Sequence, residues 1–264
     1  MHLTPWVALL APALAIAAES GPAKPGTEWS GVVGAGVIVL TGNAETTTMN
    51  GAASAQREAG GWILAGKATG VYGRTRPADH SQPAQTVALG ATGQLRADRK
   101  LGAHLTLFAL GGAETDHVAS LEYRAYGEGG AGWLWLDRKP EAGGELFLRT
   151  DLGVRYTYDE RWQYYGTATA PEGDLPDVEM VAPRAGLAFR YGFSEQVKLI
   201  EEAEVLTNVS GDERWQARSL TKLTSRLIAA VSFGLSYQVA YDSAPAPGKV
   251  RTDTALGASL EVAF

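Results

Sequence analysis

Three adjacent pairs in this 264-residue chain carry the side chains of acid–base chemistry: Asp79-His80, Asp116-His117 and Asp159-Glu160. A hydrolase needs a histidine beside a carboxylate, with a nucleophile or an activated water within hydrogen-bond reach. Neighbouring residues on a strand point to opposite faces, so Asp116-His117 is not a dyad by itself. Only converging loops would bring His117 to Asp79 or Asp159, and the ordinary reading of all three pairs is a solvated polar rim. The four histidines show no HExxH-like spacing, which leaves a transition-metal site with little support. With no cysteine there is no thiolate nucleophile, no thiolate metal ligand and no disulfide framework. The stretch GVVGAG at 31–36 matches part of a glycine-rich phosphate motif, yet no helix follows it, and it reads as a glycine-rich strand. The expectation is therefore a chain that is not an enzyme, with no catalytic, cofactor-binding or metal-binding residue and no cofactor.

Composition narrows the partners. A formal net charge of −6 without a basic run argues against nucleic acid, because a phosphate-binding surface needs clustered Lys and Arg. Thirty-two glycines lean toward strands, where tight bends and close packing favour them over helices. From Trp6 to Ala18 only apolar residues and one proline occur, too short a run for a membrane helix, which takes about 20 residues. It suits a signal-peptide core, with Ala15-Ile16-Ala17 as the small-x-small cleavage pattern, although the n-region has His2 and no Lys or Arg. The expected organisation is a signal peptide at 1–17, a loose leader at 18–28, and one β domain over 29–264.

Past Trp29 no helical period stands out. What recurs is a segment with one apolar face, then a turn. The expected strands are 29–41, 46–58, 62–73, 85–97, 102–116, 121–136, 144–158, 178–192, 196–209, 213–225, 230–242 and 251–264, twelve in all. The clearest alternations are Leu146, Leu148, Thr150, Leu152, Val154, Tyr156, Tyr158 and Val231, Phe233, Leu235, Tyr237, Val239, Tyr241. The last segment places Leu256, Ala258, Leu260, Val262 and the terminal Phe264 on one face. Connections alternate between short turns near 59–61, 98–101, 137–144, 193–196 and 226–229 and longer Pro-rich stretches at 74–84, 159–177 and 243–250. An even strand number with such alternation is what a bacterial outer-membrane barrel shows. Pro247-Gly248 suits a type II turn. Trp62, Tyr72, Tyr123, Trp133, Trp135, Tyr156, Tyr158, Tyr191, Trp215, Tyr237 and Tyr241 fall mostly near strand ends on the apolar face, where an interfacial girdle would lie, although aromatics suit any sheet.

The opposite face carries Lys67, Arg96, Glu122, Arg124, Glu128, Arg149, Asp151, Arg155, Arg184, Arg190, Glu202, Glu204, Arg218, Lys222 and Glu261. A soluble sandwich puts such charges outside, whereas a membrane barrel puts them in a wet lumen. Periodicity cannot tell inside from outside; Phe264, the signal peptide and the loop lengths favour the lumen. One segment disagrees: in 196–209 Glu201 falls in the apolar register beside Glu202 and Glu204, which a β-bulge would repair.

Two stretches resemble a known family. LTGNAETTTMNGAAS at 40–54 is similar to the GN-x-E-T-T-x-x-N opening of the YdiY-like family of salt-induced outer-membrane proteins, and LSYQVAYDSAPAPGKVRTDTALGASLEVAF at 235–264 to its closing hairpin, with the K-x-x-T-D-T run and the terminal Phe. The resemblance covers about 29–264 and implies a transmembrane, antiparallel, up-and-down β-barrel in the Gram-negative outer membrane. It supplies no catalytic residues. The turn near 226–229 departs from the polar turn expected there. The implied partners are outer-membrane lipid and the barrel-assembly machinery, with Phe264 part of the signal that the machinery reads. The expected function is a passive narrow channel or a structural or stress-related envelope component. The alternatives are a rim hydrolase acting on lipid or peptide and a soluble periplasmic β-barrel binding an apolar ligand.

Overall fold

The computed structural model describes residues 26–40, 44–77, 83–139, 144–166 and 170–264. The expected signal peptide, most of the leader, and Gly42 and Asn43 of the family-like stretch lie outside them. The described residues form twelve strands and no helix: β1 (Gly26–Leu40), β2 (Ala44–Ala59), β3 (Trp62–Pro77), β4 (Gln85–Lys100), β5 (Leu105–Asp116), β6 (Leu121–Arg138), β7 (Leu146–Gln163), β8 (Gly173–Gly192), β9 (Val197–Thr207), β10 (Trp215–Arg226), β11 (Val231–Asp242) and β12 (Thr252–Ala263). Each strand pairs antiparallel with the next in sequence, and β1 closes on β12, giving a closed up-and-down barrel.

Closure leaves no sheet edge, which is the condition for strands to cross a bilayer with every backbone group paired. The seam runs from Val32 against Ala263 to Ala35 against Leu260 and is extended by two bonds of 3.0 Å, Gly31 N–H to the Phe264 carbonyl and Phe264 N–H to the Gly31 carbonyl. The start of β1 and the end of β12 lie at the end that also holds the turns between β2 and β3 and between β8 and β9; in an outer-membrane barrel this is the periplasmic end. Gly60 and Gly61, at φ +59° and +77°, form the β2–β3 turn, whose two left-handed positions match the twist of the flanking strands.

Two expectations need correction. The stretch 159–177 is mostly strand: β7 runs on to Gln163 and β8 begins at Gly173, helped by a register shift between Asp159 and Arg161. And β9 has no bulge, since it pairs without a register shift on both sides, so Glu201 does point outward with the apolar set. A smaller shift is at β1, which starts at Gly26 inside the expected leader.

The outer face is apolar and exposed: Val33, Val37, Leu64, Leu95, Leu152, Val154, Leu256, Leu260 and Val262 all project from it, and the terminal Phe264 is 66% exposed. Trp62, Trp133, Trp135 and Tyr191 ring one end and Tyr72, Tyr123, Tyr156 and Trp215 the other, all exposed. Large apolar side chains outside and charges inside are the inverse of a soluble protein and the arrangement that lipid demands.

Candidate functional site

The site is the lumen, where the inward positions of successive strands meet. Near the extracellular end Arg124 donates to Asp159 (2.5 and 2.6 Å) and to Glu114 (2.5 Å). Glu114 also accepts from Arg218 on β10, at 2.8 and 3.0 Å, a bond that crosses the barrel from β5. Arg214, just before β10, donates to Asp159 (3.3 Å) and to Asp242 (3.0 and 2.5 Å). Above this layer is a cavity of about 140 Å³ lined by Asp116, Lys249, Asp253 and the loop residues Val118, Ser120 and Ala246. Asp116 accepts the Val118 and Ala119 N–H groups at 3.1 Å, which folds the β5–β6 loop inward over the mouth. From the β11–β12 loop Lys249 donates to the Tyr164 carbonyl (3.3 Å), and burial holds its ammonium below the usual lysine range.

In the middle, Glu128, with a fully buried side chain, accepts from Arg155 (2.8 Å) and Arg184 (3.1 Å), and both arginines also reach Glu204 (3.1 and 2.7 Å). Lys67 on β3 bonds Glu202 on β9 at 3.0 and 3.1 Å, the second pair to cross the barrel. Toward the periplasm Arg96 and Arg149 alternate with Asp98 and Asp151 at 2.5–2.8 Å. A second cavity of about 240 Å³ is lined by Lys67, Arg96, Asp151, Arg184, Glu202 and Glu204 among others. Both cavities are lined by Thr92, Arg218 and Gln238, and a further space of about 10 Å³ is bounded by Glu114, Arg124, Tyr126, Arg155 and Arg218. At the periplasmic end Lys222 donates to Glu261 (2.8 Å), both nearly inaccessible, and Arg190 and Lys198 flank Glu145 at 3.6 and 3.5 Å.

Guanidiniums supply most of the cations here because a planar fork binds two carboxylates at once. Glycines make room for them: a Cβ at Gly132 would fall 2.5 Å from both Arg149 and Asp151. Not every buried group finds a protein partner. Ser30 Oγ, Ser54 Oγ, Thr69 Oγ1 and Gln238 Oε1 are buried without a hydrogen bond among the described residues, and all four point inward from β1, β2, β3 and β11. Buried polar atoms of this kind are satisfied by water.

The described rim residues have other partners. His117 stacks on Tyr164 at 4.2 Å, Asp159 is held by Arg124 and Arg214, and Asp79 and His80 lie outside the described residues. Glu122 accepts a hydrogen bond from the Tyr164 hydroxyl. Among the described residues no group of three or more His, Asp or Glu is placed to hold a metal.

The model of a family described as proteins of unknown function, DUF481, matches residues 33–264. The chain belongs to that family, the YdiY-like salt-induced outer-membrane proteins. It is an outer-membrane β-barrel in contact with membrane lipid. No curated protein matches the chain. Among solved structures it is similar to an outer-membrane channel from Pseudomonas putida F1, with 12% identity, 92% of this chain and 97% of the other covered, and a TM-score of 0.46. It is also similar to the translocator domain of the autotransporter NalP from Neisseria meningitidis, with 14% identity, coverage of 90% and 88%, and a TM-score of 0.40.

Several ion-pair partners are not among the charges expected from the sequence, among them Asp98, Glu114, Asp159, Arg214 and Asp242. Asp98 lies just past the expected strand end at 97, and its even number, shared with the inward Arg96, was the usable signal. Glu114 was hidden because Phe108 and Leu110 share its inward face on β5, which blurs the alternation.

Proposed function

We propose that the protein is a passive, narrow outer-membrane channel for ions and small polar solutes, non-enzymatic, whose lumen is constricted by cross-barrel ion pairs. The observation that carries this reading is the pair of charged cavities, about 140 and 240 Å³, both lined by Arg218 of the Glu114–Arg124–Arg218 layer. A hydrated path runs through both cavities and narrows where Arg218 and Lys67 reach carboxylates on the far wall. Fixed charges of both signs make the path poorly selective between cations and anions. Planar-bilayer recordings test it: the purified barrel gives small conductance steps, and Lys67→Ala with Glu202→Ala enlarges them severalfold. Silence from both would select the second reading, a barrel braced rather than opened by the same ion pairs. The stacking of His117 on Tyr164 and the pairing of Asp159 with two arginines support the absence of chemistry; hydrolysis of lipid or peptide that disappears on His117→Ala would overturn that part.

Phe264 we assign to the signal read by the assembly machinery, because its ring is exposed at the barrel's end while its backbone completes the seam. Deleting it lowers outer-membrane yield; an unchanged yield would end that assignment.

A further inference from the structure

The outer wall holds one feature that lipid does not explain. Glu201, in the middle of β9, points outward, and its carboxylate accepts hydrogen bonds from Ser219 Oγ (2.6 Å) and Thr221 Oγ1 (2.5 Å), outward neighbours on β10. It is opposite Phe189, and the next outward position of β8 toward the periplasm is the ring residue Tyr191. Glu201 therefore lies inside the apolar belt. Other outward carboxylates lie toward the extracellular end: Glu160 is opposite Tyr123 and Glu179 opposite Tyr158, level with the extracellular ring. A carboxylate at belt depth is costly and marks a site with a partner to be named. Two hydroxyls occupy two of its roughly four acceptor positions and supply no positive charge.

On a distant part of the wall, β2 carries the complement. Arg57 points outward opposite Leu64, and the next outward position of β3 toward the periplasm is the ring residue Trp62. Counted from the ring, Arg57 and Glu201 are at the same depth. Arg57 Nε is buried without a hydrogen-bond partner among the described residues. The shapes also match. On the extracellular side of Arg57 the outward positions are Ala55, Gly66, Ala53 and Ala68, and they border a surface hollow of about 710 Å³ that extends to Gly93, Gly111 and Ala113. On the same side of Glu201, Leu187 and Val205 protrude, 37% and 43% exposed.

We infer that copies of this chain associate within the membrane, head to tail, with the Glu201 face of one barrel seated on the Arg57 hollow of the next. The Leu187 and Val205 side chains fill the hollow, and the Glu201 carboxylate meets the Arg57 guanidinium in a low-dielectric contact where a paired charge replaces two costly single ones. Because the two faces differ, the contact is heterologous and builds rings or short rows rather than a closed twofold dimer.

Sedimentation velocity and native mass spectrometry of the full barrel in nanodiscs of outer-membrane-type lipid test this. Wild type forms dimers and larger species. Glu201→Arg alone and Arg57→Glu alone each weaken association by about tenfold or more, since like charges then face each other. Mixing the two variants restores dimers and larger species in which the two alternate, because each contact between unlike variants joins opposite charges, one native and one swapped, whereas either variant alone joins like charges. Heat-shifted gel mobility checks that each variant is a closed barrel, and Glu201→Gln and Arg57→Gln replace any that is not. A monomeric wild type, variants that associate like wild type, a mixture that stays monomeric, or one-to-one association with a different chain would each overturn the inference.

Discussion

The lumen has two unlike walls. From β4 to β10 its inward positions hold the arginines, aspartates and glutamates, and nearly every charge there is bonded to a neighbour on the same wall, as Arg155 and Arg184 are to Glu128 and Glu204. From β11 through the β12–β1 seam to β3 the central inward positions are small or neutral: Gln238, Ala255, Val32, Ala52, Ser54 and Thr69. The first wall satisfies itself. The second carries buried hydroxyls with no hydrogen-bond partner among the described residues, so water is held on that side, and its Lys67 and Glu261 pair with Glu202 and Lys222 of the first wall. One wall braces the barrel and the other lines the path.

The largest effect should come from the bracing wall. Glu128→Ala leaves two buried guanidiniums sharing only Glu204, and removing one partner of such a network costs about 3 kcal/mol. The expected outcome is a clear drop in the temperature at which the folded gel form is lost; an unchanged temperature would mean that the bracing lies elsewhere. The bridge is weaker in stability and stronger in conductance. Lys67 and Glu202 keep about a third of their side chains exposed, so solvent screens the pair and their removal should cost no more than about 1 kcal/mol. The same double substitution is the one that enlarges the current steps, and a large loss of stability with no change in current would reverse the two roles. The smallest effect belongs to the hydroxyls. Ser54→Ala and Thr69→Val remove groups that only water satisfies, so stability should move by less than about 1 kcal/mol while conductance falls. A loss well beyond that on chemical or thermal unfolding would show that these hydroxyls have protein partners.

Much of this plan was legible in the chain. A period of two settled which residues share a face, and the alternation of short and long connections, with the terminal Phe264, pointed to the barrel and to which end faces the periplasm. What local pattern does not carry is who meets whom across a closed sheet. Arg218 finds Glu114 and Lys67 finds Glu202 because of the barrel's stagger and width, which depend on how all twelve strands close. Arg214 sits just before β10, yet it falls within the expected strand 213–225 and in the even register of the inward Arg218 and Lys222, so its inward position was readable and its partners Asp159 and Asp242 were not. Glu201 is the instructive miss. Its outward position was visible in the sequence, and it was set aside as a bulge because a lipid-facing carboxylate breaks the pattern that defines the fold.

The central claim is a continuous wet path past the Glu114–Arg218 layer. Since the chain has no cysteine, a single introduced thiol reports on that path alone. Ala65→Cys lines the larger cavity on the periplasmic side of the constriction, and Asp212→Cys on the exposed β9–β10 loop serves as the reference. A small, charged, membrane-impermeant thiol reagent added to intact cells should label the Ala65→Cys variant, more slowly than the loop thiol, and faster once Lys67 and Glu202 are alanine. Full labelling of the loop thiol with none of the lumen thiol, before and after that double substitution, would contradict the channel.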